Sequence, residues 1–249
     1  MSRKVAVILS GCGVYDGAEI HEAVCALLAL NRAGATAVCA APNVEFDEID
    51  HITGQPTGKK RNALVEAARI ARGQIRDVAL LHAEEFDAAL LPGGFGAAKN
   101  LSTFATAGAD CTVEPATAEF LRAMKAAGKP IGALCIAPVV LARLFGPDFH
   151  PQVTIGNEKG PADAINSMGA RHIETPASSV STTFSAHWTG RPHDNTASGG
   201  NRMARKYLIA PLFAIRPRGF HPSVDRLYRS PNISSPRRSL MCMPDLSTP

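Results

Sequence analysis

No two of the six cysteines (Cys12, Cys25, Cys39, Cys111, Cys135, Cys242) stand as a C-x-x-C pair, so neither a zinc knuckle nor a thioredoxin-type redox motif is present. No stretch approaches the ~18 continuous apolar residues of a membrane span. The opening MSRKVAVILSGCG has a short basic start and an apolar run that ends in glycines. That run is too brief for a signal segment and has no small-residue cleavage site, so it reads as a first strand. There is no phosphate-binding P-loop, and Gly11, Gly13 and Gly17 have the wrong last spacing for a dinucleotide loop. His51, His82, His150 and His172 are scattered without ligand spacing, which gives a metal site no support. The expectation is a soluble, cytoplasmic protein with reduced thiols and no cofactor.

What is present is two kinds of sequence. Apolar residues make up 45% of the 249, enough for a sizeable core over part of the length. The net charge is +4, but residues 177–249 alone hold ten Lys/Arg against three Asp/Glu, and eight of the 18 prolines. Residues 1–176 are therefore slightly acidic. The basic segment has no sustained period of two or 3.6, and is rich in Ser, Pro, Gly and Arg. Only KYLIAPLFAI is apolar enough to pack, and Pro211 interrupts it. A largely disordered tail is expected there. Aromatics and lysines are sparse in it and no binding module is recognisable, so neither nucleic acid nor a membrane is expected as a partner. Its abrupt onset also fits a change of reading frame in a GC-rich gene, which commonly yields Arg-, Ser- and Pro-rich translation.

Residues 1–176 alternate strand and helix signals and form the expected folded domain. KVAVILS, TAVCAAP, FDAALLPGG and PIGALC are apolar runs of strand length. AEIHEAVCALLALNRAG has Ile20, Val24, Leu27 and Leu28 at helical spacing and closes on Gly34. NALVEAARIAR and APVVLARLF read as further helices. EPATAEFLRAMKAAG has Pro115 near its first turn and Gly128 after its end. QVTIG and ARHIE are short strands around the helix-like ADAINSMG. Apolar strands alternating with helices predict a three-layer α/β sandwich: a mainly parallel sheet covered on both faces. Ligands of such sheets bind outside the carboxyl ends of the strands, where the turns SGCGVYDG, PGGFGAAKN and Cys135 fall.

Cys135 stands directly between an apolar strand and an apolar helix, in KPIGALCIAPVVLARLF. A helix N-terminus beside a thiol favours thiolate. Its free N–H groups, that of Ile136 first, suit an oxyanion. The arrangement is a nucleophile elbow with Cys in place of Ser and without the full G-x-S-x-G pattern. A cysteine merely packed in the sheet fits the spacing equally well. Gly93 and Gly94 let main chain approach a ligand closely, with Gly94 as a second oxyanion donor; an ordinary glycine turn explains them as well. Glu19, His21 and Glu22 open the first helix. A carboxylate there either shares a proton with the thiol or simply complements the helix dipole. Cys12 lies near the same rim and is either a participant or packing for the turn.

Together ILSGCGVYDGAEIHEAV, GKKRNALVEAARIARG, LLPGGFGAAKNLS and GKPIGALCIAP closely resemble the ElbB-type glyoxalases, in the glutamine amidotransferase-like superfamily with the PfpI-type proteases and the deglycases. The resemblance covers about residues 3–176. It implies a flavodoxin-like fold and cofactor-independent conversion of glyoxal, with methylglyoxal as a further small aldehyde, to the hydroxy acid through a cysteine hemithioacetal. It makes Cys135 the nucleophile and Glu22, twelve residues before Gly34, the proton-transfer carboxylate, with Glu19 as fallback. Gly94 and Ile136 become the oxyanion amides. A homodimer, a protein deglycase activity and a link to isoprenoid synthesis are further implications. No histidine follows the nucleophile helix in the protease or amidotransferase manner, which disfavours amide hydrolysis. A non-catalytic redox sensor using the same thiol is the competing reading. Relatives continue after the HIETP region with another strand and helix, which the basic tail replaces.

Overall fold

The structure is a computed structural model that describes residues 2–156 and 158–174. In chain order the strands are β1 Lys4–Ile8, β2 Thr36–Ala41, β3 Glu45–Ile49, β4 Pro56–Asn62, β5 Ile75–Asp77, β6 Ala88–Leu91, β7 Ile131–Ala133, β8 Gln152–Val153 and β9 Arg171–His172. The helices are α1 Ile20–Arg32, α2 Ala63–Ile70, α3 Gly96–Lys99, α4 Phe104–Ala107, α5 Pro115–Ala126, α6 Pro138–Phe149 and α7 Lys159–Ser167. The basic segment 177–249, with its expected disorder and its frame-change explanation, lies outside the described residues.

Five strands form one sheet in the order β5-β2-β1-β6-β7, every pairing parallel. The alternation within β1 explains why both faces must be covered. Ala6 and Ile8 enter one core with Leu91, Leu121, Met124, Leu141 and Phe145. Val7 and Leu9 enter the other with Ala23, Cys39, Ala41 and Ala67. The α1 and α2 helices close the second face, and α5 and α6 the first. This is the covered parallel sheet expected from the strand runs, and the flavodoxin-like sandwich that the resemblance implies. The chain leaves β1 toward β2 and β5, then crosses back to β6 and β7. The direction therefore reverses between β1 and β6, and loops from these two strands diverge at their carboxyl ends into a crevice.

Two features depart from the sequence reading. A β3–β4 antiparallel hairpin and strand β5 were not foreseen. The sequence of β4, PTGKKRN, has no apolar alternation and is exposed over its first five residues, so its pairing rests on main chain and on charges such as Lys60–Asp47 at 2.9 Å. The second departure is the orientation of α1. Its buried residues are Ala23, Ala26 and Ala29, while Ile20, Val24 and Leu28 are exposed at 44%, 48% and 48%. Of the apolar row that marked the helix, Ile20, Val24 and Leu28 face outward, while Leu27, with Leu30, flanks the buried alanines against the core.

Helix ends follow their expected chemistry. Pro115 occupies the first turn of α5, where Glu114 caps the Ala116 and Thr117 N–H groups. The α6 helix runs through Pro147 to Phe149, beyond the expected Phe145. Gly146 permits this by allowing main chain of Met168 against it, where any Cβ would collide. The α7 helix joins β8 to β9, which pair in parallel as a separate two-stranded piece.

Candidate active site

Cys135 sits in the turn between β7 and α6 with φ at 52°. A non-glycine residue in this left-handed region carries strain, and such strain collects at functional turns. The turn is closed by Leu134 N–H to Leu91 O and by Ala137 N–H to Leu134 O, both 2.9 Å. Of the described cysteines, Cys135 is the exposed one; Cys39 and Cys111 are buried.

The thiol is surrounded by the groups the sequence reading nominated. The Gly94 and Ile136 N–H groups lie close enough to the Cys135 sulfur to favour its ionisation, and the Glu22 carboxylate close enough to oppose it. Glu22 reaches it from the first turn of α1, across Gly93. Its Oε2 accepts the Gly93 N–H at 2.8 Å. Gly93 is the spacer: a Cβ there would lie 2.6 Å from Glu22 Oε2 and 3.2 Å from Cys135 Sγ. Main chain without a side chain is thus the only material that fits between acid and thiol. Gly94 has φ at 101°, and a Cβ on it would lie 2.5 Å from the Glu19 nitrogen, so glycine is required there twice over.

Glu19 takes a different place from its fallback role. It is the N-cap of α1, its Oε2 accepting the Glu22 N–H at 2.7 Å while Oε1 meets His21 Nδ1 at 2.7 Å. Its own N–H donates to Gly93 O at 2.7 Å. Glu19 fixes where α1 starts and adds a negative charge near Glu22. Cys12 is influenced by a different set of groups, with neither Glu22 nor Cys135 among them. The charges acting on it are Glu66, Arg69, Asp16 and Arg61. Glu66, only 6% exposed, receives Arg69 Nε at 2.8 Å and Arg61 at 3.3 Å; Arg61 also pairs Glu48. This network fastens the β3–β4 hairpin to α2. The network was assigned no role from sequence, and Gly93 was assigned close approach to a ligand, not the spacing of acid and thiol. The Glu66–Arg69 spacing of three was the available signal.

The electrostatics correct one expectation. Burial, first, and the Glu22 carboxylate push the Cys135 thiol up to about 11, against the lowering by the Gly94 and Ile136 N–H groups. Burial also holds the Glu22 carboxyl above its ordinary value, with the Glu19 charge adding to it and the Gly93 N–H and the thiol opposing it. The helix N-terminus therefore does not by itself produce a standing thiolate: desolvation and a carboxylate outweigh two amide bonds. Burial and the carboxylate thus hold the proton on the thiol more strongly than the two N–H groups release it.

His150 and His172 make main-chain contacts, with Gly169 O at 2.7 Å and the Ile155 N–H at 3.4 Å respectively. Among the described residues no three His, Cys, Asp or Glu side chains are placed to hold a metal ion. A groove of about 680 Å³ between α5 and α6, lined by Glu119, Arg122, Arg143 and Asp148 among others, includes neither Cys135 nor Glu22.

A parallel sheet whose switch-point loops bring a strained cysteine, a glutamate and two glycines together defines a class of protein, and the comparisons agree with it. The chain belongs to the DJ-1/PfpI family, which it matches over residues 3–145. It is 51% identical over 180 residues to the human glutamine amidotransferase-like class 1 domain-containing protein 3, mitochondrial, covering 68% of this chain and 66% of that protein. It is 37% identical over 186 residues to the zebrafish ES1 protein, mitochondrial, covering 68% of each. The chain thus spans about two thirds of the length of these relatives. Among solved structures it resembles an isoprenoid biosynthesis protein with an amidotransferase-like domain from Ehrlichia chaffeensis, with 40% identity, TM-score 0.64, and coverage of 70% of this chain and 80% of that one.

Proposed function

We propose that this protein is a cofactor-independent glyoxalase of the ElbB type, converting glyoxal and water to glycolate. The observation that carries the reading is the meeting of Cys135 and Glu22 across Gly93: Glu22 Oε2 accepts the Gly93 N–H at 2.8 Å, and a Cβ on Gly93 would lie 3.2 Å from the sulfur. Cys135 adds to an aldehyde carbon as its proton passes to Glu22. The oxygen that becomes negative lies by the Gly94 and Ile136 N–H groups and then takes the proton from Glu22, leaving a hemithioacetal. Glu22, now ionised, removes the C–H proton of that carbon, giving an enediolate, and returns it to the neighbouring carbon, while the hydroxyl proton of the first carbon passes to the oxygen of the second. The product is a glycolyl thioester, which water hydrolyses to glycolate and the free thiol. Each proton Glu22 accepts is returned, and a carboxyl whose affinity for protons is raised by burial suits both directions.

Two alternatives are less well supported. A sensor thiol is expected to ionise readily, whereas Cys135 is pushed up to about 11. Amide hydrolysis calls for a histidine beside the nucleophile, and His150 and His172 bond elsewhere. The relatives named mitochondrial favour a mitochondrial setting over the cytoplasm expected from cysteine usage. A link to isoprenoid synthesis has its support in the name of the Ehrlichia protein. The outward row Ile20, Val24 and Leu28 supports a homodimer; Leu28→Glu is expected to halve the mass measured by sedimentation. The test of the activity is glycolate formation from glyoxal, followed by NMR without glutathione or metal. Cys135→Ser is expected to abolish it, and full activity in that variant rejects the reading.

A further inference from the structure

Asn100 lies outside the site, just past the end of α3, and is 7% exposed. Its amide nitrogen donates to two main-chain oxygens, Ser10 O and Asp16 O, each at 2.7 Å. Ser10 follows β1, and Asp16 precedes the glycine that leads into α1. One side chain therefore closes the loop of residues 11–16 at both ends. Ser10 Oγ, Asp16 Oδ1 and Asn100 Oδ1 are buried without a hydrogen-bond partner, so at these two ends of the loop the Asn100 amide nitrogen is what bonds it to the end of α3. Between the ends, Asp16 Oδ2 accepts the Ile49 N–H at 2.8 Å and Lys99 Nζ donates to Tyr15 O at 2.7 Å.

What this loop holds is the site. Gly17 O accepts the Gly96 N–H at 3.0 Å, and Val14 O accepts the Phe95 N–H at 2.8 Å. Two residues further on, the Glu19 N–H bonds Gly93 O at 2.7 Å, and Glu22 then reaches over Gly93 to Cys135. We infer that Asn100 is a positioning residue for the Cys135–Glu22 pair: its amide locks the loop after β1 against the loop after β6, and so sets the reach of Glu22 across Gly93 to the thiol. The inference rests on reading Cys135 and Glu22 as the reacting pair. A residue that only supported the fold would change stability and leave the chemistry of the folded molecules alone.

The test uses the full chain and the rate at which iodoacetamide alkylates Cys135, followed by peptide mass spectrometry across pH, with thermal melting alongside. Asn100→Ala and Asn100→Asp are each made in the wild-type and in the Glu22→Gln background. With Glu22 displaced, the pH of half-maximal alkylation is expected to fall by about one unit in the wild-type background, and to move little where Glu22 is already Gln. An unchanged profile in a folded Asn100 variant overturns the inference. So does an equal shift in both backgrounds, since Asn100 would then not act through Glu22. If neither Asn100 variant folds, Asn100 is a residue of the core and the inference is likewise overturned. Because alkylation needs no aldehyde, a chain that fails to turn over glyoxal still reports on Asn100.

Discussion

Gly93 donates its N–H to Glu22 Oε2 at 2.8 Å, across 71 residues of sequence. The same residue receives the Glu19 N–H on its carbonyl oxygen. The start of α1 and the end of β6 are therefore tied in both directions at the one point where the acid and the thiol face each other. Four expectations follow from that tie.

Glu22→Gln keeps the shape and an oxygen able to accept the Gly93 N–H, but removes the charge. The two readouts should move in opposite directions. Iodoacetamide should alkylate Cys135 faster at neutral pH, because the carboxylate no longer opposes thiolate. Glycolate formation should fall by about 10²- to 10⁴-fold, the usual loss on removing a proton-transfer group.

Gly93→Ala places a methyl group 2.6 Å from Glu22 Oε2 and 3.2 Å from the Cys135 sulfur. The two side chains must part. Turnover should be lost to at least the extent seen in Glu22→Gln, and steady-state kinetics with glyoxal would show it. A variant with wild-type kcat would contradict this placement of Gly93.

Glu19→Ala removes the N-cap of α1 and a negative charge near Glu22. Loss of a cap costs about 1 kcal/mol, to be read from urea unfolding. The Glu22 carboxyl should drop toward its ordinary value, since Glu19 is one of the groups raising it. The acidic limb of the pH–rate profile should move to lower pH, with a smaller loss of kcat than in Glu22→Gln.

The stability of the protein should carry the signature of Glu22. Its folded-state pKa is raised, chiefly by burial. The folded protein thus holds this proton more tightly than the unfolded chain. The stabilisation is fully present below the unfolded pKa and disappears as pH rises through the folded one. Glu22→Gln should therefore melt increasingly above wild type as the buffer is raised from about pH 4 to about pH 8. A constant difference across that range would count against a buried, ionising Glu22.

The sheet strands were legible because residues buried on both faces leave continuous apolar runs, as in KVAVILS. Cys135 stood out for a related reason, a polarisable side chain at the seam between two such runs. Glu22 was singled out only by resemblance, since a glutamate in a first turn has a commoner use, the one Glu19 in fact serves. The β3–β4 hairpin was hidden because charges and main chain hold it, with little apolar alternation. Gly93 was legible only as part of a glycine turn, and Asn100 left no pattern at all. One acts by lacking a side chain, the other by bonding two carbonyls 84 and 90 residues away. The raised thiol was out of reach for the same reason: desolvation depends on what the fold brings near.

The alanines beneath α1 have a consequence for distance. Ala23, Ala26 and Ala29 put a single carbon each between the helix backbone and the sheet, so they act as a gauge that sets how thick this layer of the sandwich is. A glutamate side chain has a fixed length. Were any of the three a leucine or valine, the helix would ride higher, and Glu22 would end short of the sulfur without a single residue of the site having changed.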